Sequence, residues 1–441
     1  MIINLIGIVI LLYSFVNYKK SFLIYLIYQV LWYYSATLFK IGHKTITISM
    51  TMNLIFFALY FIKGNVVCYP RHKHPYALPL FLMVFSSFLT CFFGVAGFAL
   101  EFTRAINTIS QEIILIWLIW YIVESDKDFK FLFKGITIVM LFACLFGILE
   151  YIIKTNIFID IKNRVSDEVI RTYNVIQSAT AQSRGYRITS VFEHSIGAGM
   201  NFGLYFCFVF IMVLKNRIKI NDSKLAIITA CLCVPCMLLT KMRSAMLFTL
   251  IALIGCIDLK NRKFYKLAVC FIVIAIIALP IYWKYVELFL SLFSSKYQNG
   301  VKGSTVDQRL SQLNAVYHLM KMSPIGGLGE RFGDYISNQY TSAALEYESI
   351  WFDVMAKHGL IGIFSNFIMM IYSIIIIPKR YKSKEILFIS LSYWITYTLT
   401  SIPSFRIHIY YLVIFYFIKK SEAYRNYNSS NYRMIKLQIY N

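Results

Sequence analysis

The chain has 441 residues, 59% of them hydrophobic, a net charge of +23 and a mean hydropathy of +0.63. A soluble protein is about half apolar, so an array of soluble domains is excluded. The basic excess fits short cytoplasmic loops of a membrane protein and gives no reason to invoke nucleic acid. Apolar runs of roughly 17 to 22 residues recur, each long enough to cross a ~30 Å hydrocarbon core as a helix. With no alternating barrel pattern in view, the reading is an all-α polytopic membrane protein. Residues 1–441 form one transmembrane domain, a bundle of about 11–13 helices.

The first run, MIINLIGIVILLYSFVNYKK, lacks a basic n-region and a small-residue cleavage site, and is read as a retained first span. Further spans are predicted at 21–39, 46–62, 76–99, 106–123, 132–153, 195–214, 224–240, 244–257, 266–283, 359–377, 386–402 and 406–418. Alternate loops collect lysine and arginine, for example Lys19 and Lys20, Lys127 to Lys134, Lys215 to Lys224, and Lys379 to Lys384. The positive-inside rule puts this set in the cytoplasm. Loops 154–194 and 284–358 then fall outside. The second carries basic and acidic residues in near balance. Helical spacing of Val165, Val169, Tyr173 and Ile176, and of Leu310, Leu313, Tyr317 and Met320, predicts an amphipathic helix in each loop, lying on the membrane surface.

Candidate chemistry gathers in those loops. Arg187, with Arg184 one turn earlier, closes the first loop within SRGYRITSVFEHSIGAGMNFG. An interfacial arginine either snorkels or captures a phosphate through its two-pronged guanidinium. His194 follows, and Arg243 opens the span after TKM. Arg309 sits at the edge of an apolar helix face. Gly326, Gly327 and Gly329, in PIGGLG, make a turn that permits close approach of a ligand or of the chain itself. No GK[ST] follows, so this is not a P-loop. Glu348 precedes a span opening at Gly359 and has no basic partner one turn on. It is either a helix-dipole carboxylate or a base. Asp353 and Lys357 form an i,i+4 pair, and His358 is a further candidate. Cys231, Cys233 and Cys236 share no helix face and have no histidine nearby, so they read as small buried residues and no metal is predicted. Asp126-Lys-Asp128 resembles a sugar-nucleotide DxD motif but lies in a lysine-rich loop.

Over about 185–370 the chain resembles the O-antigen polymerase and ligase family. The resemblance rests on Arg187 before FEHSIGAGMNFG, on Arg243-Ser244 at a span start, on Arg309 followed by SPIGGLGERFGDY, and on Glu348 ahead of GLIG. It implies a glycosyltransferase, without cofactor, acting at the outer face of the bacterial cytoplasmic membrane on glycan carried by undecaprenyl diphosphate. Arg187 and Arg309 would hold the diphosphate and Glu348 would take the acceptor proton. Arg243, Arg184, His194 and the three turn glycines would line the substrate path. Ligases usually carry histidine where Glu348 stands, which favours a repeat-unit polymerase over a ligase. The implied partners are the lipid-linked oligosaccharide, membrane lipids, and flippase and chain-length regulator proteins. A flippase or transporter is the alternative of another class. It calls for mid-span charges and repeat symmetry, whereas the charges here concentrate at span ends.

Overall fold

The structure, a computed structural model, describes residues 2–32, 37–41, 44–63, 73–163, 186–215, 223–255, 306–330, 332, 347, 349–401 and 405–422. Within them lie helices α1 (Ile2–Val16), α2 (Tyr18–Leu31), α3 (Ile48–Lys63), α4 (Ala77–Thr90), α5 (Phe98–Thr108), α6 (Leu115–Ile122), α7 (Asp126–Ile153) and α8 (Ile157–Asn163). There follow α9 (Ser195–Leu214), α10 (Lys224–Leu239), α11 (Arg243–Ile254), α12 (Val306–Met322), α13 (Ile350–Ile371), α14 (Ile377–Tyr381), α15 (Lys384–Leu399) and α16 (407–422). Among the described residues, four continuous helical stretches are long and apolar enough to cross a membrane: Phe98–Ile122, Asp126–Ile153, Ser195–Leu214 and Ile350–Tyr381. Several shorter apolar helices pack among them. The protein is a multi-pass, essentially all-α membrane protein.

Most predicted spans appear within a few residues. Two elements differ from expectation. The run predicted as 21–39 ends as a helix at Leu31, and Thr37–Ile41 pairs antiparallel with Lys44–Thr47 as a small hairpin. The β-branched Thr45, Ile46 and Thr47 favour a strand there. The predicted span 76–99 closes at Thr90, and α5 begins at Phe98, earlier than the predicted 106. The predicted span 266–283 and the amphipathic helix around 165–176 lie outside the described residues.

One end of the bundle is fastened by lysines. Lys19 pairs with Asp128 at 2.9 Å and Lys420 with Asp126 at 2.7 Å. Lys419 donates to the carbonyls of Trp120 and Val123, and Lys215 pairs with Glu385. Asp126 and Asp128 open α7 in a capping box with Ser125, which also suits the helix dipole. At this lysine end sit the starts of α2, α7 and α15 and the ends of α6, α9 and α16. The opposite, loop end therefore carries the ends of α2, α7 and α15 and the starts of α9 and α16.

The centre is α16. From His408 to Ile418 its residues are buried, and its rings meet several partners: Phe415 meets Trp120 and His74, Tyr411 meets Tyr76, Tyr416 meets Phe129, and Phe417 meets Phe208. α9 packs against both α10 and α11, and α11 also packs on α15. A Cβ on Gly199 would lie 2.7 Å from that of Ala245, and one on Gly203 would lie 2.2 Å from Thr249 Oγ1. Advancing along α9 thus advances along α11, so the two helices run parallel and both begin at the loop end.

A π-helical turn, Ile109–Ile114, joins α5 to α6. A wider turn frees a carbonyl that lipid cannot satisfy. The buried Asn53 side chain from α3 supplies the missing donor, to Ser110 O at 2.9 Å. The second irregularity is in α13, where Gly359 adopts φ 60° and ψ −153°. Pro324–Gly329 docks into this break by main-chain bonds. Leu328 N donates to Ala356 O (2.9 Å), Gly329 N to Lys357 O (3.0 Å) and Leu360 N to Pro324 O (2.9 Å).

Candidate functional site

The loop end holds a cationic cradle built from two helix starts and the segment that precedes one of them. Residues 186–194 run in extended and turn conformation to the start of α9, beside the α10–α11 turn, where Ile188 N bonds Leu239 O at 3.3 Å. This brings Arg187 against Met242, Nη1 to Sδ at 3.6 Å, with Arg243 close enough to repel it. Burial, and then that neighbouring charge, press Arg187 down to about 10, so it stays charged at neutral pH. Arg187 is only 7% exposed, and its Nε has no hydrogen-bond partner. Ser195 Oγ and Ser244 Oγ, one at the start of each parallel helix, are buried and likewise unpartnered. Buried polar groups are almost always satisfied. Three unpartnered polar atoms thus lie close to the guanidinium groups and to two helix amino ends, an arrangement whose chemistry suits an anion.

His194 is the N-cap of α9. Its Nδ1 accepts from Ile196 N at 3.0 Å, so the neutral ring carries its proton on Nε2 and can donate. Burial, then Arg187, lower it to about 4.

Two carboxylates near the cradle are sequestered. Glu150, at the end of α7, accepts from Thr189 N (3.1 Å), Ser190 N (2.6 Å) and Tyr186 Oη (3.1 Å). Glu193 lies between Lys162 of α8 and Arg406, whose Nη1 reaches Oε2 at 2.9 Å. These two cations overcome burial and hold Glu193 down at about 2. Neither carboxylate pairs with Arg187. Of these groups, the sequence singled out Arg187, His194 and Arg243, which the structure places together, and gave no sign of Glu150, Lys162, Glu193 and Arg406. The missed residues differ in being paired partners from segments far apart in the chain.

The remaining candidates fall elsewhere. Arg309 on α12 donates from Nη2 to the carbonyl of Leu399, at the loop end of α15, at 3.1 Å. Trp351 Nε1 bonds neighbouring Thr398 Oγ1 at 3.0 Å. Gly326, Gly327 and Gly329 approach the chain's own atoms: a Cβ would meet Phe93, the Lys357 backbone and Glu101 respectively. They shape a turn. His358 is held on both sides, Nδ1 by Thr90 Oγ1 at 2.9 Å and Nε2 by Glu330 at 3.3 Å, which leaves neither nitrogen for substrate. Lys357, then His358, overcome burial and hold Glu330 well below the usual carboxylate range. Arg184 and Glu348 lie outside the described residues. Cys233 and Cys236 pack on Cys144 in the core, and Cys231 faces outwards.

The fold is that of a multi-pass helical membrane protein, with a cluster of arginines and buried polar side chains at one end of its bundle. Residues 227–367 match the family model Wzy_C, described as O-antigen ligase. This segment, from α10 through most of α13, is similar to the O-antigen ligase domain and covers about a third of the chain. No curated protein matches the chain. The matched segment contains Arg243, Arg309 and the glycine turn, while Arg187 and His194 precede it.

Acid should unsettle the cradle in two stages. His194 is protonated at 6.5 when unfolded but only near 4 when folded, so its neutral state favours folding above 6.5 and loses that advantage as pH falls towards 4. Glu193 contributes fully above 4.5 and loses its contribution as pH falls to about 2. The melting temperature of the purified protein is expected to decline from pH 6.5 downward, more steeply below 4.5. A melting temperature unchanged from pH 7 to pH 3 contradicts both environments.

Proposed function

We propose that the protein is a polysaccharide repeat-unit polymerase of the cytoplasmic membrane, building an O-antigen, capsule or exopolysaccharide at the outer face. The observation that carries this reading is the cradle of Arg187, Arg243, Ser195 and Ser244 around two helix amino ends. Its charge and donor geometry suit the diphosphate of an undecaprenyl-linked glycan. In the reaction, an acceptor sugar hydroxyl attacks the anomeric carbon of the growing chain. A carbon–oxygen bond forms there as the bond to the diphosphate oxygen breaks, and the electron pair leaves with the phosphate. The arginines stabilise that developing charge. Glu348 is assigned the hydroxyl proton and Arg309 a place on the substrate path. The loop end is the external face in this scheme, in accord with the lysines at the other end.

The name of the matched family supports a second reading, ligation of finished glycan to a lipid A-core acceptor. Glu348, where ligases usually carry histidine, favours polymerisation. Cells carrying Arg187→Ala, Arg309→Ala or Glu348→Ala separate the two. Surface glycan reduced to single attached units supports the polymerase, whereas loss of all attachment supports the ligase. A wild-type ladder from all three variants would sink both.

A further inference from the structure

The segment that delivers Arg187 is short, irregular and bent. Ser190 sits at φ 54°, a conformation that side chains other than glycine adopt only under constraint. It is pinned from several sides. Ser190 Oγ donates to Ala143 O at 2.6 Å, and Asn156 Nδ2 donates to Thr189 Oγ1 and to Ser190 O, both at 2.8 Å. At its far end Glu193 meets Arg406 and Lys162. Arg406 is fully buried, its ring neighbour is Phe192, and two further donors are engaged. Nε reaches Val30 O of α2 at 3.0 Å, and the backbone N reaches Asn201 Oδ1 of α9 at 3.1 Å. Lys162 Nζ also holds Val191 O at 2.5 Å. One carboxylate thus ties the segment to α2, α8, α9 and the start of α16. The residue after it is the N-cap His194, and the next is the orphaned Ser195.

We infer that Glu193, gripped by Arg406 and Lys162, is a positioning residue of the anion cradle, fixing residues 186–195 so that Arg187 and the start of α9 face Arg243. This rests on the reading of the cradle as the diphosphate site. A fully paired buried carboxylate between two cations costs desolvation that an apolar cluster would avoid. What it provides is a unique register for the bent segment. Glu193 touches no reacting atom. It acts through where Arg187 and Ser195 stand.

A charge effect and a positioning effect have opposite signs here, which makes the inference testable. Glu193→Gln removes a negative charge beside a cationic site. If Glu193 acted through its charge alone, an anion would bind more tightly. Loss of position weakens binding. Arg406→Lys keeps the charge but loses the fork that spans Glu193 and Val30. The measurement is inorganic pyrophosphate binding to the full chain in lipid nanodiscs, by titration calorimetry, with melting temperature and monodispersity recorded for each variant.

Arg187→Ala is expected to weaken binding at least about tenfold, and Glu193→Gln and Arg406→Lys each about tenfold, with Glu193→Asp recovering part of the loss. Arg187→Ala weakening while Glu193→Gln and Arg406→Lys bind as well as wild type, or better, overturns the positioning role alone. If Arg187→Ala also binds like wild type, or wild type binds no pyrophosphate, the cradle reading fails and the inference with it. Should Glu193→Gln not yield folded protein, Arg406→Lys decides.

Discussion

Replacing Arg187 with alanine is expected to lower glycosyl transfer by about 10²- to 10³-fold in kcat/KM, the range seen when a preorganised donor to a developing oxyanion is removed. The size follows from burial. Arg187 is 7% exposed, so its charge acts through protein rather than water. Its Nε is unpartnered, so that donor gives up no protein bond to meet a phosphate oxygen. Arg187→Lys should recover only part of the loss, because an ammonium cannot present a planar pair of donors to two phosphate oxygens. Transfer from lipid-linked oligosaccharide to acceptor by purified protein is the measurement. A variant within threefold of wild type would remove Arg187 from the reaction.

The largest effect on stability is expected at Gly359. Its φ of 60° with ψ of −153° falls in a region populated essentially by glycine alone. An added Cβ would lie 2.6 Å from Ile325 O and 2.7 Å from Gly327 N, both backbone atoms that cannot swing aside. Gly359→Ala should therefore cost more than about 3 kcal/mol, the sum of strain and a lost docking surface. The turn at Pro324–Gly329 would leave α13, releasing α12 and Arg309 from their place beside Leu399. Thermal unfolding in detergent would register this as a fall of many degrees. A variant as stable as wild type would contradict the docked turn.

Spans and polar loops were legible in the sequence because they depend on local quantities: runs of apolar residues, lysines between them, and glycines where a helix must bend. α9 was read at its observed bounds, and the start of a span at Gly359 coincides with the break in α13. The 37–47 hairpin was hidden because apolar character runs on past Leu31, and hydrophobicity alone does not distinguish the end of a helix from a strand. In the site, Arg187 and Arg243 stood out as cations at span starts. The pairing of Arg187 with Arg243, rather than with Arg309, depends on the parallel packing of α9 and α11, set by contacts between residues more than forty apart. Glu193, Lys162 and Arg406 are invisible for the same reason. Each alone is an ordinary charged residue near a span end, and their meaning lies in one buried carboxylate shared by two cations.

The burial of α16 bears on how the bundle is made. This helix leaves the ribosome after every other described span, yet it fills the middle, touching α6, α7, α9 and the residue that caps α4 through its rings. Arg406 at its head completes the grip on Glu193. The earlier helices lack the rings that fill the space between them until α16 joins them. Only then do the Arg187 segment and the starts of α9 and α11 acquire their fixed relation. A chain cut before residue 405 would lack both Arg406 and the helix that fills the bundle, so the fixed relation of this site depends on a helix made after those that frame it.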